Sequence, residues 1–142
     1  MLVEIYPPTL QSAGLRSAIE DLLSGLSARD ITVDCEIPAE LDVPAEAERL
    51  IFRVTQETLR NISKHSQAGH VAIRLESTPD RVTLTIADDG VGMDASTIGE
   101  SVGRGHLGVR VMRDLAAAAG ARLALASRLG VGTWLQLGVP LP

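Results

Sequence analysis

Apolar residues recur at two different spacings along this 142-residue chain, and these spacings predict the order of its secondary structure. Three segments carry an apolar residue at every third or fourth position, which is typical of helices: about 15–26, 45–66 and 106–119. Alternation of apolar and polar residues predicts a strand at about 31–37 and two later hairpins. The order helix, strand, helix, hairpin, loop, helix, hairpin is not the regular βαβ alternation of a doubly wound sheet. We expect an α+β fold in two layers, with a mixed, mostly antiparallel sheet of about five strands and three helices on one face.

Turn-forming residues mark the ends of these elements. Pro44 stands at the start of the second helix, where its missing N–H costs nothing, and Gly120 caps the end of the third. The first hairpin joins "VAIRLES" to "RVTLTIAD" through "TPD", and the second joins "RLALAS" to "TWLQLGVP" around "RLGVG". The "YPP" stretch stops any helix that arrives from the N-terminus. We therefore expect residues 1–14 to be the tail of a preceding element and a linker.

The second helix changes character along its length. At about 100° per residue, its apolar stripe continues into three polar residues: Glu57, Asn61 and His65. Burying polar side chains without partners costs a few kcal/mol each, so a polar ligand over the second half of this helix is one explanation. The other is that the helix leaves the core at its C-terminal end, where Lys64 and His65 would suit the negative end of the helix dipole.

A carboxylate interrupts an apolar row on the strand "RVTLTIAD". Val82, Leu84 and Ile86 point inward, and the next inward position is Asp88, whereas Asp89 points outward. An aspartate at the end of an apolar row matches the exocyclic amine of a flat apolar ring such as adenine. Taken alone, Asp88 is better explained by capping of the turn that follows.

The segment 90–108 holds six of the chain's 13 glycines, which predicts mobility or close backbone approach to a ligand. Gly90 and Gly92 would admit a planar ligand, and "GRGHLG" precedes a helix whose N-terminal N–H groups form an anion site. Three cationic or titratable side chains could supply charge there: Arg104, His106 and Arg110. "GRGHLG" also fits the dinucleotide fingerprint, but no strand precedes it and no acid follows at the required distance. The chain lacks the "GK" of a P-loop and the "HRD" and "DFG" of protein kinases.

Composition narrows the class of protein further. The net charge of −5 argues against a broad basic surface for nucleic acid. Cys35 is the sole cysteine, which fits a reducing compartment, and its alternation with apolar neighbours predicts a small residue on the inner face of a strand. No segment is long and apolar enough to span a membrane, and the N-terminus lacks a signal-peptide pattern. We expect a cytoplasmic location without membrane contact by this piece, which could be the cytoplasmic part of a membrane-bound protein.

Four motifs together resemble one family. "ETLRNISKH", "DDGVGM", "GRGHLGV" and "GVGTWLQL" resemble, in order and spacing, the N box, G1 box, G2 box and closing Gly-Thr segment of sensor histidine kinases, members of the GHKL or Bergerat-fold ATPases. The Lys-His ending of the N box and the Gly-His-x-Gly pattern of the G2 box are similar to the nitrate-sensor and DesK-like subgroup. "PPTLQSAGLRSAIEDL" resembles the segment that joins the dimerisation helices of that subgroup to its ATP-binding domain. The resemblance covers nearly the whole chain.

The resemblance implies ATP and Mg²⁺ as cofactors and assigns roles by position. Asn61 would coordinate Mg²⁺, while Glu57 would hold a Mg²⁺-bound water or act as a base, and Asp88 would take the adenine amine. The catalytic set would be Glu57, Asn61 and Lys64. Residues 93–104 would form the ATP lid. The remaining nucleotide contacts would come from His65, Gly90, Gly92, Met93, Gly103, Arg104, Gly105, His106, Leu107, Gly108 and Thr133.

The resemblance also implies an organisation and partners. Residues 1–14 would be the end of a dimerisation helix and a linker, and residues 15–142 the catalytic ATP-binding domain. His65, His70 and His106 all lie outside a dimerisation helix, so the phosphoacceptor would belong to a separate dimerisation domain. The domain would be a monomer in isolation, and the phosphoryl group would pass on to a response regulator with a LuxR-type output. An anti-sigma-factor type serine kinase of the same fold and a non-catalytic nucleotide-binding module are the alternatives.

Overall fold

The computed structural model describes residues 14–63, 67–92 and 107–142, with backbone alone for 107–109. Within them lie three helices and five strands, in the order helix, strand, helix, two strands, helix, two strands. The helices are α1 (Gly14–Ser27), α2 (Ala45–Asn61) and α3 (Leu107–Ala118). The strands are β1 (Thr32–Glu36), β2 (His70–Ser77), β3 (Arg81–Asp88), β4 (Arg122–Arg128) and β5 (Gly132–Pro140). This arrangement confirms the predicted α+β fold.

The five strands form one sheet in the order β1-β2-β3-β5-β4. β1 runs parallel to β2, and every other neighbouring pair is antiparallel. The two predicted hairpins are β2–β3 and β4–β5, and β5 lies between β3 and β4. The end of β3 and the start of β5 therefore lie side by side, with Asp88 opposite Thr133.

The core lies between the sheet and the three helices. Alternate residues of β3 are fully buried, namely Val82, Leu84 and Ile86, and they pack with the buried faces of α1 and α2. The central helix α2 begins directly after Pro44, whose carbonyl accepts from the Glu48 N–H at 3.1 Å, as the sequence predicts. Among the described residues, no helix combines the length and hydropathy needed to cross a bilayer.

Two expectations from the sequence are confirmed only in part. Cys35 pairs with the buried Ile73 of β2 and so lies on the inward row as predicted, but it is exposed, because β1 is an edge strand of the sheet. An edge strand has a neighbour on one side only, so alternation there does not guarantee burial. The α-helical part of the second helix ends at Asn61 and continues as a π-helical turn over residues 62 and 63. Residues 64–66 of the predicted helix lie outside the described part of the chain.

Gly132 sets how closely the β4–β5 hairpin approaches the end of β3. Its φ of 136° lies in a region that L side chains rarely adopt, and a Cβ there would meet the carbonyl oxygen of Asp88 at 1.9 Å. Gly130, in the adjacent turn, also has a positive φ of 78°, but a Cβ there would meet no atom within 4 Å. A side chain at Gly130 would therefore meet backbone strain alone, whereas one at Gly132 would meet both strain and a collision with the Asp88 carbonyl.

We predict that Gly132→Ala lowers the free energy of unfolding by roughly 2–4 kcal/mol, because both strain and backbone collision oppose the added methyl group. Gly130→Ala is the matched control and should cost only about 1 kcal/mol, from strain alone. Urea denaturation of both variants checks this. Equal costs would show that the Asp88 carbonyl does not limit the approach of the hairpin.

Candidate functional site

Asp88 stands where the buried row of β3 meets the end of the sheet. Its carboxylate is half-buried, and its Oδ1 accepts a hydrogen bond from the Gly90 N–H at 2.8 Å. Loss of hydration raises the pKa of Asp88, and the neighbouring Asp89 charge adds to this, while the N–H groups of Gly90 and Thr133 oppose it. The capping explanation from the sequence is therefore confirmed for Asp88, and its carboxylate is also partly desolvated.

Thr133 and Ser127 extend this polar site across the sheet. The strand register places Thr133 between Asp88 on β3 and Ser127 on β4. The hydroxyl oxygens of Ser127 and Thr133 lie 2.8 Å apart, and Ser127 Oγ also donates to the Gly132 carbonyl at 3.2 Å. Ser127 was not predicted from the sequence, although its position opposite Thr133 in the second hairpin could have identified it.

A cavity of about 290 Å³ opens at this end of the sheet. The residues that line it include the polar Asp88, Ser127, Arg128 and Thr133 and the apolar Ala87, Val131 and Trp134. A few polar groups in an otherwise apolar lining are typical of small-molecule sites.

Gly90 and Gly92 follow Asp88 and shape the same region. Gly90 is buried, and Gly92 has a φ of 68°. A Cβ on Gly92 would meet the Arg128 carbonyl oxygen at 2.1 Å, and the neighbouring Val91 carbonyl accepts from the Gly130 N–H at 2.9 Å. In the described structure, the close approach that Gly92 permits is to the β4–β5 turn.

The polar half of α2 differs from its buried first half. Glu57 keeps only 16% of its side-chain surface exposed, and among the described residues its ion pair is with the Arg60 Nη1 at 4.0 Å, the limit for such a pair. Asn61, one turn later on the same face, is half-buried. By contrast, the buried Thr55 and Thr58 satisfy their hydroxyls on the α2 backbone at 2.7 Å. The hydroxyls that α2 directs into the core are thus hydrogen-bonded within the helix. Among the described residues, Glu57 has only the long ion pair with Arg60.

The donor set on α2 suits Mg²⁺ that is shared with phosphate. Glu57 and Asn61 offer the oxygen ligands that Mg²⁺ prefers. Within residues 14–63, 67–92 and 107–142, no group of three or more His, Cys, Asp or Glu side chains could enclose a metal. One or two protein oxygens together with substrate phosphates are the usual Mg²⁺ arrangement, so the residues present fit this ion.

Several predicted site residues lie outside the described part of the chain. They are Lys64, His65, Met93, Gly103, Arg104, Gly105 and His106, together with the predicted lid 93–104. For Leu107 and Gly108 only the backbone is described, and it forms the first turn of α3. α3 packs against α2, where the Thr58 Oγ1 lies 3.5 Å from the Met112 Sδ.

Asp89 was predicted only to point outward, and the structure shows what it binds there. Its Oδ1 accepts from the backbone N–H groups of Gly69 and His70, both at 2.9 Å. These bonds, the His70 N–H first, lower the pKa of Asp89. Adjacent carboxylates therefore have pKa values shifted in opposite directions, because the strand sends them to opposite faces.

Arg53 is a second feature that the sequence analysis missed. It lies one turn before Glu57 on α2, and its Nε is buried without a hydrogen-bond partner in the described structure. A buried donor without a partner costs about 1–3 kcal/mol. Its spacing of four residues from Glu57 was the available signal.

We predict that Asp88→Asn stabilises the fold at neutral pH by roughly 0.5–1 kcal/mol after solvent screening, because it removes a half-desolvated charge. A raised pKa in the folded state means that the contribution of Asp88 is fully favourable below its ordinary value of 3.8 and is lost as pH rises through the raised pKa. The variant and the parent should therefore diverge in stability above about pH 4. Urea denaturation at pH 3.5 and 7 checks this, and a constant difference would contradict it.

We also predict that Arg53→Met raises the free energy of unfolding by about 1 kcal/mol, because it removes the unpaired donor and keeps an apolar stem of similar reach. Arg49→Met, on an exposed position of the same helix, is the control and should change stability by less than about 0.5 kcal/mol. Thermal denaturation compares them. A destabilised Arg53→Met would mean that the guanidinium is satisfied in solution.

Comparison with known proteins places this geometry in a family. The family model described as histidine kinase-, DNA gyrase B- and HSP90-like ATPase matches residues 46–142. The chain is 31% identical over 137 residues to the sensor histidine kinase NarS of Mycobacterium tuberculosis, covering 94% of this chain and 32% of that protein. It is 30% identical over 140 residues to the nitrate/nitrite sensor protein NarQ of Escherichia coli K12, covering 96% of this chain and 24% of that protein. The chain thus spans between a quarter and a third of these relatives.

The structural comparison agrees. The histidine kinase domain of the Erythrobacter litoralis EL346 blue-light activated histidine kinase superposes with a TM-score of 0.73 at 26% identity, covering 89% of this chain and 61% of that one. The mycobacterial sensor histidine kinase MprB superposes with a TM-score of 0.70 at 21% identity, over 89% of this chain and 94% of the other, and supports the fold. The chain belongs to the histidine kinase-, DNA gyrase B- and HSP90-like ATPase family, and its relatives include sensor histidine kinases and a nitrate/nitrite sensor protein.

Proposed function

We propose that this chain is the ATP-binding catalytic domain of a sensor histidine kinase. It would bind ATP with Mg²⁺ and transfer the γ-phosphoryl group to a histidine on a separate dimerisation domain. Membership of the ATPase family supports nucleotide binding, and the named relatives support the kinase reaction. The observation that carries the proposal is Asp88, a half-buried carboxylate of raised pKa that lines a largely apolar cavity.

Asp88 and its neighbours would bind the adenine. The Oδ1 of Asp88 is already fixed by the Gly90 N–H, so its second oxygen is the natural acceptor for an exocyclic amine. Thr133 holds its hydroxyl beside Ser127 and would orient a polar edge of the ring. A carboxylate that is desolvated without a ligand gains a donor on binding, which favours adenine over a ring lacking the amine.

Glu57 and Asn61 would serve the phosphate end of the nucleotide. Asn61 would hold Mg²⁺ through its side-chain oxygen, and Glu57 would hold a Mg²⁺-bound water or accept a proton. Mg²⁺ would supply charge neutralisation at the β- and γ-phosphates. The remaining contribution of this chain is to orient the γ-phosphoryl group in line with the incoming imidazole, which is mainly positioning. Lys64, His65 and the glycine-rich segment ending at Gly108 would complete the phosphate site.

The proposed organisation and partners go beyond this domain. Residues 1–14 would connect to a dimerisation domain that carries the phosphoacceptor histidine, and residues 15–142 would be the catalytic domain. The phosphorylated histidine would supply a response regulator with a LuxR-type output. The domain would act in the cytoplasm and would be a monomer in isolation.

We predict that the chain binds ATP and ADP, and that Asp88→Asn weakens ADP binding by about 100-fold, because the amide presents a donor to the adenine amine. Asn61→Ala should weaken binding in the presence of Mg²⁺ and leave Mg²⁺-free ADP binding unchanged. Calorimetric titration with and without Mg²⁺ measures both effects. Asp80→Asn, which removes an exposed charge at the far end of β3, is the control and should bind like the parent.

Two results would redirect the proposal. ADP binding that is unaffected by Asp88→Asn would place the adenine elsewhere. With a dimerisation domain supplied in trans, the transferred phosphate should be alkali-stable and acid-labile, as phosphohistidine is. A phosphate with the opposite stability on a separate protein would indicate the serine kinase, and nucleotide binding without transfer would indicate the non-catalytic module.

A further inference from the structure

We propose that Asp89 is a positioning residue that holds Asp88 in its nucleotide-binding place by fastening the end of β3 to the start of β2. This inference rests on the proposed function, since Asp88 is there the adenine acceptor. Asp89 itself points away from the cavity and would touch no ligand. It acts through the backbone that it shares with Asp88.

The contacts of Asp89 form a closed joint between two strand ends. One carboxylate oxygen accepts from the Gly69 and His70 N–H groups, both at 2.9 Å. The Asp89 N–H in turn donates to the His70 carbonyl at 3.3 Å. The side chain and the main chain of Asp89 therefore both bind the segment 69–70, so a shift of Asp89 would strain all three hydrogen bonds.

The segment that Asp89 holds is itself anchored on the opposite side. The Gly69 carbonyl accepts from the Thr32 N–H of β1 at 2.9 Å, and the His70 Nε2 lies 3.1 Å from the Asp34 Oδ2 of the same strand. β1 and β2 thus form a fixed base for the joint. The end of β3 is held by this base on one side and by β5 on the other.

The joint also connects the two ends of the proposed nucleotide site. The chain that leaves α2 after Asn61 re-enters the sheet at Gly69 and His70. Asp89 binds that re-entry point, and Asp88 is its immediate neighbour. The Asp89 carboxylate is exposed to solvent, so its hydrogen bonds add little to the free energy of unfolding. A local role, the connection of β3 to the start of β2, explains these bonds better.

The test compares Asp89→Ala with Asp89→Asn, because asparagine keeps the acceptor oxygen and loses the charge. We expect Asp89→Ala to weaken ADP binding about tenfold, the effect typical of losing a group that orients a ligand-binding residue. Asp89→Asn should bind ADP within about twofold of the parent, since its amide oxygen can accept both N–H groups. Asp80→Ala removes an exposed carboxylate at the other end of the β2–β3 hairpin and is the control.

Hydrogen exchange at the Gly90 amide, measured without nucleotide, reports on the position of the Asp88 carboxylate, to which that amide is bonded. Exchange should accelerate at least about tenfold in Asp89→Ala and remain near the parent rate in Asp89→Asn. Unchanged exchange and ADP affinity in a folded Asp89→Ala, or equal losses in both variants, would overturn the positioning role. Failure of the parent to bind ADP, with exchange accelerated only in Asp89→Ala, would refute the proposed function and leave the joint standing.

Discussion

The register between β3 and β5 is the constraint on which the site depends. It places Asp88 opposite Thr133 and seats Gly132 against the Asp88 carbonyl. A slip of one residue would move the apolar row of β3 to the other face and take Asp88 with it. Burial of Val82, Leu84 and Ile86 fixes the register, because the slip would expose all three. Packing of the core therefore determines the position of the Asp88 carboxylate.

Two polar groups at the edges of this core lower the free energy of unfolding. Asp88 has a raised pKa because burial removes part of its hydration, and the buried Nε of Arg53 has no partner in the described structure. Thr55 and Thr58 show that the same helix satisfies polar side chains where it faces the core. Asp88 and Arg53 thus carry polar groups whose desolvation is not fully offset within the described structure.

The sequence predicted most of the fold because the apolar periods were unambiguous in the longer elements. Both hairpins, α1 and the start of α2 at Pro44 were predicted correctly. Cys35 lies on the inward row but is not buried, since an alternating pattern cannot distinguish an edge strand from a central one. Asp88 could be singled out as a carboxylate in an apolar row. Ser127 could have been found from its place opposite Thr133 in the second hairpin. The bonds of Asp89 could not, because they join strand ends that are distant in sequence and use backbone donors without a sequence signal.

The two adjacent aspartates illustrate how one short motif can serve ligand and scaffold together. Alternation along β3 sends the carboxylate of Asp88 towards the cavity and that of Asp89 towards the start of β2. The first loses hydration and its pKa rises, while the second gains two N–H donors and its pKa falls. Neither role is available to the other residue, since exchanging faces would leave the Gly69 and His70 N–H groups without this acceptor and the cavity without its carboxylate. The pleat of β3 therefore assigns the ligand-binding role to Asp88 and the scaffold role to Asp89.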